Sequence, residues 1–156
     1  MSNRNVSLTL IIGALFCLAG CAAAPGPKFS GLENVPKDSA ELIVYRKSAL
    51  FASGQAMPVM IDNSQVGELY NASFLKRQLA PGQHYIKITP GLLAQSAEKI
   101  VMFAPGERKI LHFDFPTGPL ANAFFIGITL DERDEKTALD DLRELNGAMP
   151  MAKANQ

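Results

Sequence analysis

Leu79-Ala80-Pro81-Gly82-Gln83-His84-Tyr85-Ile86-Lys87-Ile88 is followed, 24 residues on, by Phe103-Ala104-Pro105-Gly106-Glu107-Arg108-Lys109-Ile110-Leu111-His112-Phe113. Both stretches read apolar residue, Ala-Pro-Gly, polar residue, then a strand-like run. Proline presets φ at the second position of a turn and glycine accepts a positive φ at the third, the recipe of a type II turn. The pair predicts two successive hairpins, because two copies are too few for a solenoid. Alternation behind each turn fixes which side chains face inward. A one-residue slip would send Ile86 and Ile88, or Leu111 and Phe113, to the wrong face.

Working outward, the same β pattern fills the middle of the chain. Glu41-Leu42-Ile43-Val44-Tyr45-Arg46 is apolar and β-branched with a charge at each end. Pro58 to Asp62 and Gln65 to Leu69 read as a hairpin about an Asn63-Ser64 turn, where Asn63 tolerates a positive φ. Ser96 to Phe103 adds a strand, and the very apolar Ala123 to Leu130 adds one expected at the centre of a sheet. Helical periodicity appears only afterwards. Ala138, Leu139, Leu142 and Leu145 line one face of a helix of about 12 residues, with Asp131 or Asp134 at its start and Asn146-Gly147 at its stop. The fold class is mainly β: an antiparallel β-sandwich of about 7–8 strands with one C-terminal amphipathic helix.

The N-terminus is of another kind. Arg4 is the only charged residue before Lys28, and Leu8 to Leu18 has the length of a signal-peptide apolar region. The run from Val6 to Ala24 also reaches the roughly 18 residues of a membrane span, though Gly and Ala dilute its last third. Small residues then lead to a cysteine. The Leu18-Ala19-Gly20-Cys21 string resembles the lipobox of bacterial lipoproteins, which implies cleavage before Cys21 and acylation of Cys21. Several acyl chains hold a protein stably where one holds it reversibly. By the same resemblance Ala22, not being Asp, favours the outer membrane. The expected organisation is a leader over 1–20, a tether over 21–36, a β-sandwich domain with its helix over 37–147, and a flexible tail over 148–156. Gly26, inside the tether, is expected to tolerate replacement. Cys17 leaves with the leader and Cys21 carries lipid, so the mature body has no thiol for redox chemistry or cysteine-ligated zinc.

Charge excludes another class. From Cys21 on, 14 Lys and Arg face 15 Asp and Glu, with no basic stripe to grip phosphates, so nucleic acid is not an expected partner. The acidic run Asp131-Glu132-Arg133-Asp134-Glu135 lacks the alternating ligands and central glycine of a calcium loop, and reads as a solvated helix start. Two histidines are present. Alternation puts His84 with Ile86 and Ile88, and His112 with Ile110 and Asp114. They approach one another only if their strands pair, and no third ligand is spaced for a metal, so neither metal nor cofactor is expected. Tyr45, Tyr70 and Tyr85 are candidates for a sugar- or peptide-contacting face. No nucleophile elbow, P-loop or dinucleotide fingerprint occurs.

With these residues laid out, the chain resembles the bacterial lipoproteins grouped as the DUF2846 family. The resemblance rests on Leu42-Ile43-Val44-Tyr45-Arg46, on Val59-Met60-Ile61-Asp62 with Val66-Gly67-Glu68-Leu69, on Asn71-Ala72-Ser73-Phe74, and on Leu79-Ala80-Pro81-Gly82-Gln83-His84. It covers roughly Phe29 to Phe115, and the strand–Pro-Gly–strand arrangement is also similar to PEGA-type surface domains. The family implies an envelope location and a β architecture, and brings no catalytic residues. The expected function is a lipid-anchored cell-envelope protein, facing the periplasm from the outer membrane. Its body would be a non-enzymatic binding or structural module, meeting another envelope protein or a glycan through a sheet edge or loop. The alternative is a small periplasmic hydrolase using His84 or His112 with Asp62 or Asp114.

Overall fold

The computed structural model of the chain describes residues 24–91, 95–115 and 128–148. Its strands form two sheets. The first contains β1 (Ala40–Arg46), β4 (Ser73–Leu79), β7 (Arg108–Asp114), β8 (Thr129–Arg133) and the two-residue β9 (Asn146–Gly147), in the order β8-β7-β1-β4-β9. The second contains β2 (Met57–Ile61), β3 (Ser64–Leu69), β5 (Gly82–Ile88) and β6 (Ala97–Phe103), in the order β3-β2-β5-β6. One helix, α1 (Glu135–Leu142), follows β8. The protein is mainly β and its two sheets make a sandwich, as the alternation requires.

Alternation also places the core. Leu42 and Val44 of β1, Leu75 of β4 and Leu111 and Phe113 of β7 meet Val59, Ile61, Ile86, Ile88, Val101 and Phe103 of the other sheet, all buried. Side chains between them in sequence point outward from the first sheet. Ile43, Tyr45 and Ile110 are covered there by Ala138 and Leu142 of α1, by Leu145, and by Phe29 and Leu32.

The two Ala-Pro-Gly turns are not hairpin turns. β4 and β5 lie in different sheets, and so do β6 and β7, so each turn carries the chain across the sandwich. The local chemistry is as expected at the second: Gly106 has φ 75°, and the Glu107 N–H donates to the Ala104 carbonyl at 3.1 Å. Gly82 has φ 134° and opens β5 opposite Phe103. What redirects the chain after Gly106 is capture by β1. The Gly106 N–H donates to Ser39 at 2.7 Å, and β7 then runs parallel to β1 from Glu41↔Arg108 to Tyr45↔His112. The sandwich is therefore mixed, with parallel pairs β1–β7 and β4–β9 among antiparallel ones. The hairpins are β2–β3, β5–β6 and β7–β8.

Other expectations shift with the packing. The β2–β3 turn centres on Asp62 (φ 49°) and Asn63 (φ 65°), with Ile61 opposite Ser64, one residue earlier than read. Two left-handed residues match the twist of a tight hairpin, and Asp and Asn accept them. Residues 123–127 of the apolar strand fall outside the described residues; β8 starts at Thr129 and lies at the sheet's edge, not its centre. The helix begins where Asp134 caps it, accepting the Thr137 N–H at 3.0 Å, while Asp131 belongs to β8. It ends at Arg143, and Asn146-Gly147 is a strand, not the helix stop.

Part of the stretch expected as tether, from Gly26 on, is paired with the body. The Gly26 N–H donates to Gly147 at 2.7 Å, the Gly147 N–H to Pro27 at 2.7 Å, and the Phe29 N–H to Leu145 at 3.1 Å. The Arg108 guanidinium bonds the Glu33 carbonyl, the Glu41 carboxylate and, at 3.1 Å, Glu135. One side chain thus ties the N-terminal segment, β1 and α1 together. At the other end Ala148 is buried, its N–H donated to Phe74 at 2.7 Å; residues 149–156 of the expected tail lie outside the described residues.

Candidate functional site

Asp62 and His84 are brought together by the turn that Asp62 opens. The β2–β3 turn swings the Asp62 carboxylate over β5, where Oδ1 accepts the Tyr85 N–H at 2.9 Å and Oδ2 meets His84 Nδ1 at 2.6 Å. The other ring nitrogen, Nε2, is 2.9 Å from the Ala80 carbonyl. A carbonyl and a carboxylate both accept, so the ring is held best when both nitrogens carry protons. Burial works against that charge on His84, but the bonds to Asp62 and Ala80 outweigh it and raise its pKa. Burial likewise opposes ionised Asp62, and the Tyr85 N–H and His84 overcome it and lower its pKa.

A His–Asp pair of this kind is half of a hydrolytic constellation. General-base work needs an imidazole nitrogen free to take a proton from a nucleophile. Here Nε2 donates to backbone, so the pair acts as a clamp between the hairpin turn and the start of β5. An open groove of about 920 Å³ runs beside β4, lined by Pro36, Ser39, Val66, Lys76 and Gln78 among others, and neither histidine lines it.

His112 is elsewhere, on the outer face of the first sheet beneath the helix layer. The two histidines stand on strands of different sheets, so no two-histidine site is assembled. His112 stacks on Tyr45, its register partner, at 4.7 Å and 27°. The Tyr45 hydroxyl donates to Asp141 Oδ2 at 2.8 Å, and Lys47 Nζ reaches Asp141 Oδ1 at 2.8 Å. Both ring nitrogens of His112 are buried without a hydrogen bond. Burial pushes its pKa down, with Asp114 and Asp141 opposing and Arg133 and Lys47 reinforcing. Asp114, two residues on, makes no hydrogen bond to it. Among the described residues no three metal-ligating side chains converge.

Arg46 is the residue that sequence reading missed. As the charged end of β1 it reads as a solvated terminus, yet it is 2% exposed. Its guanidinium donates to the carbonyls of Phe51 (3.0 Å), Ala52 (2.9 Å) and Gln55 (3.3 Å), and lies 5.3 Å from the Phe115 ring centre. Burial lowers its pKa to about 10, opposed by Asp114. Arg46 shapes the 47–56 loop from inside. Its signal in the sequence is a charged residue in register with the alternating core positions Leu42 and Val44.

The tyrosines do not share a face. Tyr45 is fully buried under α1, whereas Tyr85 projects from the outer side of the second sheet. Cys21, the expected lipid site, lies outside the described residues, as does the whole leader; among the described residues no helix is long and apolar enough to cross a membrane. No family model matches the chain, and no curated protein matches it.

Proposed function

We propose that this chain is a lipid-anchored protein of the bacterial cell envelope, with Cys21 as the lipid site and a non-enzymatic binding or structural body facing the periplasm from the outer membrane. The observation that carries the reading is how near to that cysteine, in sequence, the chain is held by the body. Gly26 is already hydrogen-bonded into the sheet edge, five residues after the cysteine of Leu18-Ala19-Gly20-Cys21. A leader cleaved before Cys21 would leave the sandwich intact, with a leash of about 17 Å at full extension. The resemblance to DUF2846 lipoproteins points the same way.

The hydrolase reading draws on one observation, the 2.6 Å contact of His84 with Asp62. The Ala80 carbonyl at Nε2 speaks against it, because the nitrogen that would activate a nucleophile is already donating. Expression of the full chain in a bacterial host with labelled fatty acid tests the anchor. Wild type is expected to take up label and shorten, and Cys21→Ala to stay unlabelled at precursor length. Normal cleavage and labelling of Cys21→Ala would sink the proposal.

A further inference from the structure

We propose that the loop 47–56 is a membrane foot: Leu50 enters the interfacial layer of an anionic bilayer beside the anchor and fixes how the body stands. The inference rests on the reading of Cys21 as the lipid site.

The loop is pinned from two sides. Arg46 holds the carbonyls of Phe51, Ala52 and Gln55 from within, and the Ala49 N–H donates to Asn71 Oδ1 at 3.0 Å. Phe51 is turned inward, its ring meeting Phe115 at 5.1 Å. Leu50, between Ala49 and Phe51, is 98% exposed. The pinned loop thus presents Leu50 to solvent while its neighbour Phe51 packs inward.

A lone exposed leucine is ordinary on a protein surface. Its company and its position single this one out. From Lys47 to Ile61 the sequence has no Asp or Glu, and Lys47 flanks the tip, still half-exposed although it reaches Asp141. A cation beside an apolar tip suits anionic headgroups over an apolar layer. Among the described residues the other large exposed apolar side chains, Ile100 and Met102, stand on β6 of the four-stranded sheet, not on the sheet that Gly26 joins.

Position follows from the hydrogen bonds. Gly26 is bonded to Gly147, the preceding Asn146 donates to Ala72, and Asn71 holds Ala49. Each step is about one strand spacing, so Leu50 lies on the order of 15–20 Å from Gly26. The five residues back to Cys21 reach roughly 17 Å. An anchor so close makes the encounter of loop and bilayer intramolecular, and a weak contact then suffices.

The test uses the full chain, processed in cells, purified and reconstituted into vesicles of phosphatidylethanolamine and phosphatidylglycerol. Leu50→Cys and Ile100→Cys each add one exposed thiol for a polarity-sensitive fluorophore. The Leu50 probe is expected to shift to the blue and to be quenched by a lipid-borne quencher, while the Ile100 probe does neither. Protein that floats with the vesicles but carries an unquenched, unshifted probe at residue 50 would overturn the foot and leave the anchor standing. Protein that does not float would overturn both.

Discussion

The two outer faces of the sandwich are built from similar strands and end in opposite conditions. On the five-stranded sheet Ile43, Tyr45 and Ile110 vanish beneath α1, Leu145, Phe29 and Leu32. On the four-stranded sheet Ile100 and Met102 point outward and remain 64% and 60% exposed. The strands do not decide this difference. It comes from segments at the two ends of the described chain, the N-terminal stretch from Gly26 and the chain from α1 to Ala148, which fold over one sheet and pair with each other. A third layer is thus assembled from the helix that the sequence assigns to the domain and from an N-terminal stretch that it assigns to the tether.

The largest test of that asymmetry removes a side chain from each face. Leu142 is fully buried between α1 and the sheet, so Leu142→Ala should cost about 2–5 kcal/mol through lost burial and the cavity left behind. Ile100→Ala on the bare face should stay within about 0.5 kcal/mol. Urea denaturation of both variants decides it. Equal losses would mean that the helix layer contributes no more than solvent does.

Gly26→Val is the next largest effect, and it reverses the expectation for a tether. A Cβ on Gly26 would stand 2.3 Å from the Gly147 carbonyl oxygen and 2.8 Å from its carbon. Both are backbone atoms of a paired strand, so neither side can yield cheaply. Overpacking of this kind costs about 1–3 kcal/mol. The expected result is a lower melting temperature together with faster proteolysis before Glu33, as the N-terminal segment detaches from Gly147 and Phe29 leaves Phe74, which it now meets edge-on at 5.4 Å. A variant with wild-type melting and wild-type proteolysis would show that the N-terminal segment is a tether after all.

How much of this was legible in the sequence depended on the range of the interaction. Period-two alternation is local, and it placed Leu111 and Phe113 inward and His112 outward correctly. Asp134 as the helix cap is local too. The Ala-Pro-Gly turns were legible as turns, because φ at Gly106 depends on three neighbouring residues. Which sheet the next strand joins was not, because that depends on β1 capturing β7 some 67 positions apart at Glu41 and Arg108. Gly26 and Pro27 read as linker because Gly and Pro serve equally in a linker and in a close backbone approach. Arg46 was missed for a related reason: its partners are loop carbonyls, which have no sequence signature. In the candidate site, Asp62 and His84 were named as possible partners, but the Ala80 carbonyl that occupies Nε2 is a backbone group and invisible to residue type.

The smallest effects lie with the two histidines, one under the covered face and one at the hairpin clamp, and they differ in sign. His112 has its pKa lowered below the ordinary 6.5 by burial. The unfolded chain therefore binds its proton more readily, and the stability this ring permits is complete above pH 6.5 and lost as pH falls below it. His84 has its pKa raised above 6.5 by Asp62 and Ala80 against the cost of burial. Its contribution is complete below pH 6.5 and lost as pH rises through the folded value. His112→Phe keeps an aromatic ring against Tyr45 and removes the titration, so it should flatten the acid side of the stability profile. His84→Gln should flatten the side above pH 6.5 and lower stability below it. Urea midpoints between about pH 5 and 8 separate the two. If both variants flatten the same side, either the clamp at Nε2 or the sealed environment of His112 is misassigned.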